Sequence, residues 1–169
     1  MPIDKNLAAW QILGVAIHSE IDAAAFYTRL LGRVRNVLLV QKLKFLALEE
    51  EHHKRIIEHL LAQRYPDKPK DVPDSSLMPP IGVTLPADPA VPALFEAALE
   101  AEEISEAFYN DAAERVEDEA GRRILAYLGR VERSHQAMIR SEIDLIRKFP
   151  DYYNVEDFHI AQDLFHVGP

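Results

Sequence analysis

The chain repeats its own pattern of charged and aromatic side chains at an offset of 82 residues. In each half, a glutamate is followed by a Phe-Tyr pair and then, 30 residues after that glutamate, by a Glu-x-x-His motif. A glutamate from each of two helices and a Glu-x-x-His from each of two others form a set that holds two metal ions inside a four-helix bundle. The repeat therefore predicts six metal ligands: Glu20, Glu50, His53, Glu102, Glu132 and His135.

The repeat also includes residues that have no metal-binding side chain. Apolar and basic residues recur at the same offset, both near the first glutamate of each half and near its Glu-x-x-His motif. The pairs are Ala16 with Ala98, Arg33 with Arg115, Leu43 with Leu125, Leu46 with Leu128, and Ile57 with Ile139. Two helical hairpins related by a pseudo-twofold axis would produce this pattern.

Apolar residues recur at helical spacing in four stretches, and each stretch carries one of the glutamates on its apolar stripe. The predicted helices are A, from Asp4 to about Arg33; B, from Val37 to about Arg64; C, from a start between Asp88 and Pro92 to about Glu117; and D, from about Ala120 to about Arg147. Pro150 ends the last of them. The sequence thus predicts an all-α protein.

Eight of the 11 prolines lie between Pro66 and Pro92, so residues 65–92 are predicted to form an extended crossover. A ferritin-like bundle uses one long crossover to bring its second hairpin alongside the first. The predicted domain is therefore a ferritin-like four-helix bundle over residues 1–149. Residues 150–169 are too rich in aromatic and aliphatic side chains for a solvated tail, and a short helix from Val155 to Phe165 is expected to pack on the bundle or on a neighbouring molecule.

The composition excludes several classes of function. The 169 residues carry a net charge of -9, which argues against nucleic acid or an anionic membrane surface as a partner. The chain has no cysteine, so it can form neither a thiolate metal site nor an iron-sulfur cluster. Met1 to Leu13 lacks the apolar run of a secretory signal, and no segment is long enough to span a bilayer, so the expected location is the cytoplasm.

The Glu-x-x-His spacing alone is weak evidence, because the chain contains it four times. The motif that begins at Glu49 is a one-residue shift within an acidic run and is interpreted, with His52 and Glu51, as a solvated or bundle-edge face. The motif formed by Glu156 and His159 lies in the C-terminal segment. Neither belongs to the 82-residue repeat.

The competing interpretation of the six residues is an ordinary acidic bundle whose glutamates turn outward. If they turn inward without metal, each unpaired buried carboxylate costs several kcal/mol. Lys54 could pair with Glu50, but its counterpart at the offset is Gln136, so no symmetric set of cations offsets the four carboxylates. Two divalent ions would neutralise them, and the ligand chemistry favours iron or manganese, with zinc as a further possible occupant.

The motifs resemble the di-iron domain of the rubrerythrin family, in the ferritin-like superfamily, over about residues 4 to 149. The resemblance implies that two iron ions are held with Glu50 and Glu132 as bridging carboxylates, and with the remaining glutamates and histidines as terminal ligands. It also implies that Tyr27 and Tyr109 donate hydrogen bonds to ligand carboxylates across the site. The alternative for the tyrosines is that they are plain core aromatics.

Two features depart from the family pattern. Typical members carry a rubredoxin-like domain with four cysteines, and this chain has none. They also carry a further helix C glutamate, at the position that Ser105 occupies here, and the neighbouring Glu106 is the candidate to replace it. Besides His52, four histidines lie outside the repeat and are expected on the surface or in packing roles; they are His18, His59, His159 and His166.

The resemblance implies an enzyme that reduces hydrogen peroxide or O2 with electrons from an external donor such as a rubredoxin-like protein. Two alternatives remain open from the sequence. One is a ferroxidase or iron-storage protein, and the other is a structural or adaptor bundle that its metals only stabilise. A homodimer or a larger homo-oligomer is expected.

Overall fold

A computed structural model of the protein describes residues 7–34, 36–68 and 91–149, which form four helices and contain no strand. The helices are α1, Ala9–Leu31; α2, Val37–Arg64; α3, Val91–Arg115; and α4, Glu119–Lys148. The predicted all-α, ferritin-like four-helix bundle is confirmed. The crossover from residue 69 to 90 and the segment 150–169 lie outside the described residues, so the predictions for them and for the domain limits remain predictions.

Local signals explain where the helices begin. Asn36 caps α2, because its side chain accepts hydrogen bonds from the backbone N–H groups of Leu38, at 2.9 Å, and Leu39, at 3.3 Å. Asp118 caps α4 in the same way, accepting from the Gly121 N–H at 2.7 Å. These caps satisfy N–H groups that have no partner within the helix.

Helix α1 begins later than the sequence predicted. Ala8 is extended, with ψ of 156°, and its N–H donates to the side-chain oxygen of Gln11 at 2.9 Å. This contact ends the helical hydrogen-bond pattern at Ala9, so the predicted start at Asp4 is wrong. Gln11 is a side chain that closes the first turn, a role that apolar periodicity does not reveal.

The helices form two hairpins, α1 with α2 and α3 with α4, and the hairpins meet where α1 packs on α3 and α2 on α4. Tyr27 contacts Glu102, whereas Tyr109 contacts Glu20, so α1 and α3 run in opposite directions. Helix α2 therefore ends at the opposite end of the bundle from the start of α3. The predicted crossover, which lies outside the described residues, would connect those two ends.

The core consists of two apolar clusters separated along the bundle axis. One includes Ile12 and Leu13 of α1 with Ile57 and Leu60 of α2, and the other contains later residues of α1 and earlier residues of α2, such as Leu30 with Leu43. The polar residues of the repeat lie between these clusters. No helix in the described ranges is both long and apolar enough to cross a membrane.

Candidate metal centre

The structure brings all six predicted ligands into one layer in the middle of the bundle, where each is between 1 and 3% exposed. They form two overlapping groups, within each of which one ligand atom per residue lies within 4.8 Å of the others. The first group is Glu20, Glu50, His53 and Glu132, and the second is Glu50, Glu102, Glu132 and His135. Glu50 and Glu132 belong to both groups and therefore lie between the two candidate positions for a metal.

His53 faces three carboxylates through one ring nitrogen. Its Nδ1 lies 3.1 Å from Glu50, 3.2 Å from Glu132 and 3.4 Å from Glu20. One nitrogen carries at most one hydrogen, so it cannot serve three carboxylates at once. A cation bound by these carboxylates would relieve the crowding of acceptors around this atom.

His135 has the equivalent environment in the second group. Its Nδ1 lies 3.3 Å from Glu102, 3.4 Å from Glu132 and 3.8 Å from Glu50. The two imidazole rings stack with centroids 5.7 Å apart and an angle of 16° between their planes. The two imidazole rings are thus almost parallel and adjacent to each other.

Two buried tyrosines connect the hairpins through the site. The hydroxyl of Tyr27 on α1 donates to Glu102 on α3, and the hydroxyl of Tyr109 on α3 donates to Glu20 on α1. Burial raises the pKa of both tyrosines well above its usual value, and the adjacent glutamates raise it further. Both hydroxyls therefore remain protonated and act as hydrogen-bond donors.

The glutamates shared by the two groups favour the neutral form when no metal is bound. Burial raises the pKa of Glu50 well above its usual value, and the nearby Glu132 raises it further. Burial raises the pKa of Glu132 in the same way, and the adjacent Glu102 raises it further. For Glu102 itself, burial is outweighed by the adjacent Glu132, His135 and Tyr27, and its pKa is lowered. The metal-free site therefore retains protons on its shared carboxylates.

The histidines favour the charged form in the same metal-free site. Burial acts to lower the pKa of His53, but the nearby carboxylates of Glu132, Glu20 and Glu50 outweigh it and raise the pKa. His135 shows the same balance, with Glu102 as the main partner. In the metal-free site, protons on these groups thus supply positive charge that bound metal cations would otherwise supply.

The residues present fit a pair of metal ions. Three carboxylate oxygens, Oε2 of Glu20 and both oxygens of Glu132, are buried and accept no hydrogen bond from any described residue. A buried carboxylate oxygen left in this state is costly, whereas a cation would satisfy it. Four carboxylates and two imidazoles suit iron or manganese, and the four negative charges balance two divalent ions.

Several other residues that the sequence singled out lie outside this centre. Ser105 is buried, but Glu106 points away from the six ligands and accepts hydrogen bonds from Arg133 Nε, at 2.7 Å, and from Gln136, at 2.7 Å. Lys54 pairs with Glu51, at 2.8 Å, rather than with Glu50. The suggestions that Glu106 replaces the missing helix C ligand and that Lys54 pairs with Glu50 are therefore wrong.

Peripheral residues have ordinary surface environments. Glu49 is partly buried, His52 is exposed, and neither belongs to the two ligand groups. His18 lies 3.6 Å from Asp22 on the surface of α1. His59 is exposed, whereas His159 and His166 lie outside the described residues.

Sequence reasoning missed two residues beside the centre. Gln136 is buried and donates to the backbone oxygen of Glu102 at 3.2 Å, which holds α4 against α3 at that ligand. Phe45 is 48% exposed on one side, while its ring lies edge-on to His135 with centroids 6.3 Å apart. Phe45 therefore separates that histidine from solvent at the contact between α2 and α4. Its counterpart at the offset, Tyr127, is also aromatic and half-exposed. The recurrence of an aromatic residue at this position is the sequence signal that could have identified Phe45.

Comparisons with known proteins agree with this geometry. The rubrerythrin family profile matches residues 11–143. A solved structure, the hypothetical protein Pfu-1136390-001 from Pyrococcus furiosus, is 30% identical and superposes with a TM-score of 0.74. The alignment covers 88% of this chain and 98% of that one. No curated protein matches the chain significantly.

Proposed function

This chain belongs to the rubrerythrin family, and on that premise we propose that it is a di-iron oxidoreductase that reduces hydrogen peroxide or O2 with electrons from an external donor. The observation that supports the proposal most directly is the buried centre itself. Two four-residue groups share Glu50 and Glu132, and three of the oxygens in them have no hydrogen-bond partner among the described residues.

The ligand assignment follows from the two groups. Glu20 and His53 would hold one ion, Glu102 and His135 would hold the other, and Glu50 and Glu132 would be shared. When bound, a pair of ferrous ions supplies two electrons together to an oxidant. A two-electron donor suits peroxide because H2O2 accepts two electrons and two protons to give two molecules of water.

The chain's own residues control protons and ligand positions. Loading the centre requires Glu50, Glu132 and the two histidines to release protons, because only the deprotonated carboxylate and the neutral imidazole bind a metal. Tyr27 and Tyr109 hold the terminal carboxylates in place from the opposite hairpin. Such second contacts orient a ligand and typically contribute about 10- to 100-fold in metal affinity or activity.

The surroundings limit what can reach the centre. Apolar clusters cover the ligand layer on both sides along the bundle axis, and Phe45 shields His135 at the side. A small oxidant suits such an enclosed site better than a large organic substrate. The chain has no cysteine, so it has no thiolate iron site to receive electrons, and we assign that role to a separate protein of the rubredoxin type.

The test uses the full chain loaded with ferrous iron without oxygen. We expect one equivalent of H2O2 to oxidise about two ferrous ions per chain in a single phase, as seen in the optical spectrum. Continuous turnover should then require a rubredoxin and its reductase, whereas NADH alone should not support it. Glu49→Ala is the matched control, since Glu49 lies next to a ligand but outside both groups.

Three outcomes would contradict the proposal. A chain that folds but binds no ferrous iron would exclude a di-iron centre. A loaded protein that does not react with H2O2 or O2 would favour a structural role for the metals. Continued oxidation of many added ferrous ions per chain, with the iron retained, would indicate ferroxidase and storage activity instead.

A further inference from the structure

The ligand layer has a thick cover on the side where α1 and α3 meet. Tyr27 and Tyr109 are fully buried there, and each donates a hydrogen bond to a ligand. Ala98 and Ala112, which are also fully buried, belong to the apolar clusters that contain these tyrosines. A molecule that entered from this side would have to displace core residues and break a hydrogen bond to a ligand.

The side where α2 and α4 meet has a thinner cover. The imidazoles of His53 on α2 and His135 on α4 lie next to each other there. Phe45 of α2 reaches across and places its ring edge-on against His135, while about half of the Phe45 side chain faces solvent. At this contact, the thickness of one aromatic ring separates a ligand from water.

The spacing of α2 and α4 is fixed on both sides of Phe45. Lys42, three residues before Phe45, forms an ion pair with the buried Glu142 of α4. Leu60 of α2 and Ile124 of α4 occupy the equivalent positions at the 82-residue offset, and they pack in one apolar cluster. Access to the ligands from this side therefore depends on the motion of a side chain rather than on separation of the helices.

Phe45 is free to move in a way that core residues are not. It belongs to neither apolar cluster, and the same is true of Tyr127, the half-exposed aromatic residue at the equivalent position. Exposed side chains change rotamer within picoseconds to nanoseconds. Rotation of the Phe45 ring into solvent would uncover His135 without disturbing either cluster. The gap would have the size of one ring, which admits H2O2 or O2 more easily than a larger peroxide.

We propose that Phe45 controls entry to the centre from the α2/α4 side and restricts it to small molecules. Phe45 is then a specificity-determining residue for the oxidant. The identity of the oxidant rests on the proposed function, whereas the control of entry applies to any ion or small molecule that reaches the ligands. The two parts can therefore be tested separately.

The first test measures metal exchange and needs no catalysis. The full chain is loaded with Co²⁺ and mixed with excess EDTA, and the loss of cobalt absorbance gives the rate of release. Opening breaks the edge-on ring contact, so Phe45→Ala should release Co²⁺ about tenfold faster. Binding should accelerate equally and leave Kd unchanged, because the same barrier is crossed in both directions. Phe45→Trp, which enlarges the ring, should slow both rates.

The second test measures the size of the oxidant. The protein loaded with ferrous iron is mixed with H2O2 or with tert-butyl hydroperoxide, each of which accepts two electrons and two protons. We expect the wild-type chain to react faster with H2O2, and we expect Phe45→Ala to reduce the ratio of the two rates about tenfold. The matched control is Phe149→Ala, since Phe149 is exposed and lies about 20 Å from His135 along the bundle axis. Both rates should be unchanged in that variant.

The outcomes separate control of entry from the proposed function. Faster Co²⁺ exchange in Phe45→Ala, with no reaction of the wild-type chain with either peroxide, would support control of entry and contradict the oxidoreductase. Unchanged exchange in a folded and fully loaded Phe45→Ala variant would overturn the proposal. So would a change in Kd that accounts for all of the faster release, or an equal acceleration in Phe149→Ala. An unchanged ratio of the peroxide rates would overturn the assignment of oxidant specificity to Phe45. Circular dichroism and metal content report whether each variant is folded.

Discussion

The two hairpins agree on the inside and differ on the outside. In the ligand layer, the glutamates, histidines and tyrosines recur at the 82-residue offset, and Tyr27 and Tyr109 have equivalent contacts. On the outer faces the offset relates an aliphatic residue to a charged one, such as Leu48 to Arg130. The comparison teaches that the ligand layer requires the same residues in both hairpins, whereas the outer faces can differ without changing it.

The two hairpins also differ close to the ligand layer. Lys54 and Gln136 occupy equivalent positions, yet Lys54 pairs with Glu51 at the surface while Gln136 is buried against α3. The α3/α4 hairpin therefore has an additional polar connection beside Glu102 that the α1/α2 hairpin lacks at the equivalent position. This difference lies next to the centre, so the effects of substituting Lys54 and Gln136 can be compared with the effects of substituting the ligands.

The largest effect is expected when a shared ligand is removed. Because Glu50 and Glu132 belong to both ligand groups, Glu50→Ala and Glu132→Ala should each reduce binding from about two metals per chain to nearly none. Glu20→Ala and Glu102→Ala, each of which affects one group, should remove about one metal. Elemental analysis of anaerobically loaded protein measures this. Full metal content in Glu50→Ala would show that the two halves do not form one centre.

Metal removal should have the next largest effect, and its size should depend on pH. Without metal, the pKa values of Glu50 and Glu132 are raised above 4.5, and those of the two histidines above 6.5. The folded metal-free protein thus binds more protons than the unfolded chain, so its free energy of unfolding falls as pH rises between about 5 and 8. Glu102, whose pKa is lowered, has the opposite effect, but at more acidic pH.

Metal binding displaces those protons, so the stabilisation by metal should grow over the same pH range. At a metal concentration of about 1,000 times Kd, the gain is about 4 kcal/mol. That gain corresponds to an increase in Tm of about 8 to 16 °C for a chain of this size. Thermal unfolding from pH 5 to 8, with and without a chelator, tests the prediction. Coincident melting of the two forms at neutral pH would rule out a buried metal centre.

The tyrosines provide a sharper test of inner symmetry. Tyr27→Phe and Tyr109→Phe each remove one hydrogen bond to a terminal carboxylate, and each should weaken metal binding by about 10- to 100-fold. Titration with Co²⁺, followed optically, measures both affinities. Tyr127→Phe serves as the control, since Tyr127 is half-exposed. If only one of the two buried tyrosines matters, the hairpins are not equivalent at the centre.

The smallest effect is expected at the position where the hairpins differ. Gln136→Ala should lower the free energy of unfolding by about 1 to 3 kcal/mol, because it removes a buried donor to Glu102 and Glu106. Lys54→Ala should change it by less than about 1 kcal/mol, since its pair with Glu51 is near the surface. Urea unfolding of the metal-free proteins measures both. Equal effects would mean that the additional connection in the second hairpin contributes no stability.

The sequence predicted the parts of the fold that depend on periodicity. Helix α2 has the predicted limits, Val37–Arg64, and α3 and α4 begin and end within about two residues of their predictions. The six polar residues lie in one layer because they share the apolar stripes of their helices. Helical spacing and the 82-residue offset are enough to predict a buried layer of this kind.

The remaining features depend on contacts between elements that are distant in sequence. The family resemblance implied that Tyr27 contacts a ligand across the site, but periodicity alone does not specify Glu102 as its partner, because that depends on the antiparallel orientation of α1 and α3. The buried position of Gln136 depends on how closely α4 approaches α3. The start of α1 shows that periodicity also fails to specify some local contacts. The hydrogen bond between Ala8 and Gln11 begins the helix at Ala9, although the apolar pattern allowed a longer helix.

The crossed tyrosine contacts have a consequence for how such a centre could arise. Each hairpin provides a glutamate, a Glu-x-x-His and a tyrosine, and the tyrosine acts only on the glutamate of the other hairpin. One hairpin alone therefore holds half of a centre, but two copies of the same hairpin, facing each other, would hold a whole one. Duplication and fusion of a gene for one such hairpin would leave the repeat that this chain carries, with both halves retaining their ligands while their outer faces diverged.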